Sequence, residues 1–238
     1  AQLVHAGKMG AMGAMTAGIA HELNNPMMGI LNYIQYCLKH TEQEDKRFEV
    51  LQDAEKEVLR CSDIVGNLLT FSRMEQEGEE EFQQKDLKDI LDRVQKLLTY
   101  RIRAENVLLT RKGEEKAPPI WMKENNIQQV VLNLMDNAID SIRKSKKKEI
   151  HVDVRKKGNR VQMSFRDTGS GISPENLEKI FDPFFTTKIE GQGTGLGLSI
   201  CHSIISNHGG KITCESTLGE GTTFKVLLPM DKRREERK

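Results

Sequence analysis

With 36 Lys and Arg against 35 Asp and Glu in 238 residues, the chain has a formal net charge of +1, which gives nucleic acid or an anionic membrane no bulk electrostatic hold. Its length suits two modest domains, each able to bury a core. No run of about eighteen apolar residues is available to cross a bilayer, and the N-terminus lacks the order of a signal peptide, so a cytoplasmic location is expected. Cys37, Cys61, Cys201 and Cys214 are scattered without a Cys-x-x-Cys pair, which fits a reducing compartment and argues against disulfides or structural zinc.

The chain opens at Ala1 and enters a helical pattern almost at once, so a segment upstream is expected. From Met12, the residues Met15, Ile19, Leu23, Met27, Ile30, Ile34 and Cys37 recur every three or four positions, the apolar stripe of one long helix. A second stripe, Leu51, Ala54, Val58, Cys61, Val65, Leu68 and Ser72, keeps a seven-residue alternation, and the polar segment His40 to Asp45 supplies the turn between. Two helices cannot bury both stripes alone, whereas two hairpins together form a four-helix bundle, so a homodimer is predicted over residues 1–77. The alternative is a hairpin packed on the remainder of its own chain.

The run E-Q-E-G-E-E-E, Glu75 to Glu81, has no apolar residue and reads as a hinge. Beyond it the pattern predicts helices at Asp86 to Thr99, Lys123 to Ile142, Pro174 to Phe181 and Gly195 to Asn207. Strands are predicted at Asn106 to Arg111, Ile150 to Arg155, Val161 to Arg166, Lys211 to Glu215 and Thr222 to Leu228. The fold class expected is α+β: the helical hairpin, then an α/β sandwich over 78–231 with helices on one side of the sheet. Arg143 to Lys148 reads as an exposed loop and 232–238 as a disordered tail.

Within the first helix the sequence reads A-G-I-A-H-E-L-N-N-P, and His21 falls about 200° round from both Ile19 and Leu23, facing solvent. Glu22 is placed to hold one ring proton, so that the other nitrogen presents a lone pair. Asn25, one turn on, shares that face and can hydrogen-bond a water or a phosphoryl oxygen. Pro26 cannot donate to the carbonyl of Glu22, so the helix should bend or loosen at this point.

A-H-E-L-N-N-P-M resembles the phosphoacceptor box of the bacterial two-component histidine kinases. The resemblance implies that His21 carries a phosphoryl group, that Glu22 assists, and that Asn25 supports dephosphorylation of a partner. The implied partner is the receiver domain of a response regulator, whose aspartate takes the phosphoryl group, and a sensor domain is implied upstream.

Further on, I-Q-Q-V-V-L-N-L-M-D-N-A-I-D-S-I puts Asn133 and Asn137 one turn apart on a flank separate from Val130, Leu134 and Ile142. Amide oxygens so placed suit a magnesium–triphosphate unit, since Mg²⁺ takes oxygen ligands and keeps several waters. In D-T-G-S-G-I, Gly169 and Gly171 let the backbone approach a flat ligand up to Ile172, and the Asp167 carboxylate can accept from an exocyclic amine, which suits adenine. F-D-P-F-F-T-T-K supplies Lys188 as a mobile cation. The loop G-Q-G-T-G-L-G-L, with Gly193, Thr194, Gly195, Leu196, Gly197 and Leu198, runs into a helix start whose N–H groups suit phosphate. Thr222 opens a strand where its hydroxyl can join the adenine-reading network. Neither a dinucleotide fingerprint nor a P-loop is present.

In order, N-x-x-x-N, D-x-G-x-G, F-x-P-F, G-x-G-x-G-L-G and G-x-G-T-x-F resemble the Bergerat-type ATP-binding domain shared by histidine kinases, gyrase, Hsp90 and MutL proteins. This implies ATP as the nucleotide, Mg²⁺ bound through Asn137, adenine read by Asp167 and a glycine lid over the phosphates. The hydrolysing relatives carry a glutamate one turn before the magnesium asparagine, and this chain has Asn133 there. An amide cannot take a proton from water, which favours His21 as acceptor over a gyrase-type hydrolase or a nucleotide-binding scaffold. Some kinases carry Lys or Arg three residues after that asparagine. Asp140 stands there in this chain, so phosphate neutralisation is expected to lean on Lys188, with Arg143 as a second cation. Transfer within one subunit or across the dimer is left open.

Overall fold

The computed structural model describes residue 23 and residues 25–73, 81–188 and 193–231. The chain divides into two compact units, Ala1–Gly78 and Glu79–Lys238. His21, Glu22, the region of the hinge at 74–80 and the tail at 232–238 lie outside the described residues.

In the first unit, helix α1 (residues 25–39) and helix α2 (Lys46–Arg73) are joined by the turn at 40–45, which is polar as the sequence requires. Asp45 starts α2: its Oδ1 accepts from the Arg47 N–H at 2.8 Å, satisfying one of the unpaired donors of the first turn. The Arg47 guanidinium and the same N–H hold the Asp45 carboxyl down at about 2. Gln35 Nε2 donates to Glu55 Oε1 at 2.9 Å and ties the helices side by side. The predicted stripes split around this seam. Val65 of the second stripe is buried, and so is Leu31, which the first stripe did not include, while its member Ile30 and the flanking Tyr33 and Tyr36 remain exposed, together with Cys37 and Cys61. The reason is geometric, because a stripe more than 100° wide is broader than the seam between two helices.

The second unit is built on a five-stranded sheet ordered β2-β4-β5-β7-β6, with β2 (Leu108–Lys112), β4 (Glu149–Lys157), β5 (Arg160–Asp167), β6 (Lys211–Thr217) and β7 (Gly221–Pro229). Only β2 and β4 run parallel. Strand residues alternate between buried Ile150, Val152, Val154, Val161, Met163, Phe165 and Val226 and partly exposed neighbours, as a sheet covered on one face demands. Helix α5 (Glu124–Ile142) lies on that face through Ile127, Val131, Leu134 and Ile139. Helices α3 (Leu87–Leu97) and α7 (Gly197–Asn207) pack beside it. The buried His208 closes this layer: its Nε2 accepts from the Lys123 N–H at 3.0 Å and its Nδ1 lies 2.7 Å from the Ile204 carbonyl oxygen, a pairing met by the tautomer protonated at Nδ1. Cys201, packed against α5, has its thiol pushed up to about 12 by burial and is inert.

Three features depart from the sequence reading. A two-stranded sheet pairs β1 (Gln83–Lys85) antiparallel with β3 (Ile120–Met122), with Ile120 and Met122 in the core. The helix expected to end at Thr99 breaks at Leu98, where ψ is 1°, and resumes as α4 (Thr99–Ala104). Helix α6 (Pro174–Leu177) is a single turn and stops short of Phe181. Among the described residues, no helix is long and apolar enough to cross a membrane.

Candidate functional site

The C-terminal end of β5 delivers Asp167 into the interior, 4% exposed. Ser141 Oγ on α5 donates to its Oδ1 at 3.0 Å and the Gly169 N–H donates to the same oxygen at 2.8 Å, so Oδ2 keeps acceptor capacity for a ligand amine. Burial is the leading influence and raises the acid above its usual 3.8, while Gly169, Ser141 and the Thr222 N–H pull the other way. Gly169 is forced by this geometry, since a Cβ there would stand 2.2 Å from Ser141 Oγ.

A second polar chain adjoins it. The Ile172 N–H donates to Ser216 Oγ at 2.8 Å, Ser216 Oγ donates to the Gly221 carbonyl at 2.8 Å, and Thr222 Oγ1 lies 3.0 Å from the same serine. Gly171 has φ +69°, and a Cβ there would lie 2.0 Å from the Thr217 carbonyl oxygen. Gly171→Ala is therefore expected to destabilise the protein by at least about 2 kcal/mol, from the left-handed backbone alone plus displacement of β6. A thermal unfolding curve superposable on that of the parent chain would contradict this.

On α5, Gln129 Nε2 donates to Asn133 Oδ1 at 3.2 Å, and Asn133 Nδ2 donates to the Gly197 carbonyl at 3.1 Å. Asn133 thus fixes where α7 begins, and Asn137, half-buried one turn on, stays outside that chain of bonds. Along the glycine loop, Leu196 is buried and Leu198 partly so. The Leu196 N–H donates to Thr194 Oγ1 at 3.3 Å, and Gly195, at φ +68°, presses against the Phe184 backbone. Gly193 lies against the side chains of Thr186 and Lys188. Lys188 Nζ reaches α5 and pairs with Asp140 Oδ2 at 2.5 Å.

The residues read from the sequence as candidates for nucleotide binding all lie in the second unit, while His21 and Glu22 lie outside the described residues and Asn25, in α1, is exposed. The expectation for Arg143 differs from what is seen: its guanidinium pairs with Glu105 Oε1 at 2.9 Å, because that carboxylate, whose other oxygen meets Lys148 at 3.3 Å, is the anion within its reach that the structure pairs it with. Ser141, Ser216 and Arg101 were not singled out from the sequence. Each is an ordinary polar residue made significant by partners 26 to 44 positions away, and no local pattern marks them.

Two family models match the chain: "Histidine kinase-, DNA gyrase B-, and HSP90-like ATPase" over residues 122–232 and "His Kinase A (phospho-acceptor) domain" over 11–77. Sensor histidine kinase ZraS of Salmonella typhimurium is 34% identical over 230 residues, which is 96% of this chain and 48% of ZraS. The chain therefore spans about half the length of that curated relative. Among solved structures, the catalytic domain of histidine kinase ThkA is 34% identical, with a TM-score of 0.56, and the match covers 65% of this chain and 99% of that one. Histidine kinase ThkA in complex with response regulator protein TrrA is 30% identical at a TM-score of 0.64, covering 92% of this chain and 62% of that one.

Proposed function

Because the chain belongs to the two-component sensor histidine kinases, we propose that it autophosphorylates His21 from ATP, passes the phosphoryl group to an aspartate of a response regulator, and also dephosphorylates that regulator. Residues 1–77 serve dimerisation and phosphotransfer, and 78–231 form the ATP-binding catalytic domain. Asp167 accepts the adenine amine, with Gly169, Gly171, Ile172 and Thr222 around it, and the loop from Gly193 to Leu198 with Lys188 faces the phosphates. The carboxamide oxygen of Asn137 would hold Mg²⁺, which would supply charge neutralisation on the triphosphate.

One ring nitrogen of His21 forms the new N–P bond as the bond from the γ-phosphorus to the bridging oxygen breaks and ADP leaves. Glu22 holds the proton on the other nitrogen. The observation that carries the kinase reading over a hydrolase is Asn133: the position one turn before Asn137 is an amide, hydrogen-bonded to Gln129 and Gly197, with no proton-accepting carboxylate for water. Incubation with γ-labelled ATP and Mg²⁺ tests it. Acid-labile, base-stable label on the chain is expected, and an unlabelled chain that releases free phosphate would overturn the proposal.

The partners proposed are a second copy of the chain and a response regulator receiver domain, with a sensor domain upstream. The exposed Ile30, Tyr33, Tyr36 and Leu59 on the hairpin support self-association, since four helices bury what two leave open. Sedimentation is expected to report twice the 27.0 kDa chain mass. A monomer at micromolar concentration would contradict the dimer. The complex of the relative ThkA with a response regulator supports the second partner.

A further inference from the structure

The C-terminal half of helix α5 carries two carboxylates, Asp136 and Asp140, at positions four apart and on either side of Asn137 in sequence. A triphosphate brought to Asn137 would meet both, and like charges at close range repel. Arg101, from α4, answers both carboxylates: Nη1 donates to Asp136 Oδ1 at 2.5 Å and Nη2 to Asp140 Oδ1 at 2.7 Å. The other oxygen of Asp140 receives Lys188 Nζ at 2.5 Å. The quartet is neutral, and its four side chains are each about a third exposed.

We propose that Arg101 is a positioning residue for the triphosphate end of the ATP site, cancelling the charge of Asp136 and Asp140 so that Asp140 can hold Lys188 near Asn137. The inference rests on the ATP-binding reading given above. Only an arginine can do this, because its planar fork spans two acceptors at once, whereas a lysine is a single point charge. Without Arg101 the remaining three side chains, Asp136, Asp140 and Lys188, present one uncompensated negative charge to the incoming phosphates. The penalty then falls on the more highly charged nucleotide, so ATP suffers more than ADP.

The test is calorimetric titration of the whole 238-residue chain with MgATP and with MgADP, for the parent and for Arg101→Gln, Arg101→Lys and Arg101→Gln combined with Asp136→Asn. Arg101→Gln is expected to weaken MgATP about fivefold and MgADP less than about twofold, with the difference shrinking at high salt. Adding Asp136→Asn should restore the ATP-to-ADP preference to within about twofold of the parent. A structural role alone would weaken MgATP and MgADP together and leave the preference between them unchanged. An unchanged preference in Arg101→Gln, or no recovery in the double variant, overturns the inference. Should Arg101→Gln fail to fold, Arg101→Lys decides, since it keeps the charge but loses the fork: the preference must fall by at least about twofold, and an unchanged value again overturns it. If the parent chain binds no MgATP, the ATP-binding reading itself falls and takes this inference with it. Parent binding beside an unaltered preference in the variants removes this inference alone.

Discussion

Asp167→Ala is expected to weaken ATP binding by roughly 10- to 100-fold, the loss that follows when a hydrogen bond to a charged group is deleted from a buried site. Asp167 is buried at the end of β5 and anchored through one oxygen by Ser141 and Gly169, so its position is set before any ligand arrives. Asp167→Asn separates recognition from folding. Its carbonyl oxygen can still accept from Ser141 and Gly169, but its NH₂ then confronts the amine of adenine, donor against donor. Binding is expected to fall while the fold persists. The raised acid adds a check on stability without nucleotide. A carboxyl whose folded value lies above 3.8 takes up a proton more readily in the folded state, so its cost is fully present above the raised value and disappears as pH falls toward 3.8. The parent chain should therefore gain stability relative to Asp167→Asn as pH is lowered through that window. Melting curves compared across pH provide the measurement, and a pH-independent difference between the two proteins would count against a strained carboxyl.

How far the sequence disclosed this site depends on the range of the interactions involved. Asn133 and Asn137 were legible because helical periodicity separates them from the apolar Val130 and Leu134, and α5 spans Glu124–Ile142 where Lys123 to Ile142 was expected. D-T-G-S-G was legible as a place of close approach, although the sequence pointed to a flat ligand and the atoms a Cβ would strike at Gly169 and Gly171 belong to Ser141 and Thr217 of the chain itself. The two short strands β1 and β3 were not legible. Three residues are too few to establish an alternation, and each is a strand only because the other lies opposite, Gln83 to Met122 and Lys85 to Ile120. Arg101 was missed for a related reason. Nothing near it in sequence explains an arginine there, and its partners Asp136 and Asp140 lie 35 and 39 residues on. Of the two stripes read from the sequence, the second holds the buried Val65, whereas the first ran through Ile30, which is exposed, and passed over its neighbour Leu31, which is buried. A surplus of apolar surface over what one chain can cover is what a second copy would bury.

His21→Gln is expected to remove all acid-labile label from the chain while leaving MgATP affinity within about twofold, because the acceptor and the nucleotide residues belong to separate units. Glutamine preserves much of the size and hydrogen-bonding capacity of histidine but has no ring nitrogen lone pair to attack phosphorus. A hydrolase of the gyrase type would behave oppositely, with phosphate release surviving the substitution, so label and free phosphate must be measured in the same reaction. Asn25→Ala provides the complementary arm. Asn25 is exposed, four residues beyond His21 in sequence, and has no part in the N–P bond of the proposed mechanism, so the label should persist while dephosphorylation of the regulator weakens by about tenfold, the cost of losing one positioned donor or acceptor for the attacking water. The two variants divide the chemistry by its nucleophile: an imidazole nitrogen when ATP is the donor, and a water held by an amide when the phosphorylated regulator is. Equal loss of both activities in Asn25→Ala would mean that this turn of α1 shapes the acceptor site as a whole, and the separate phosphatase role would fall.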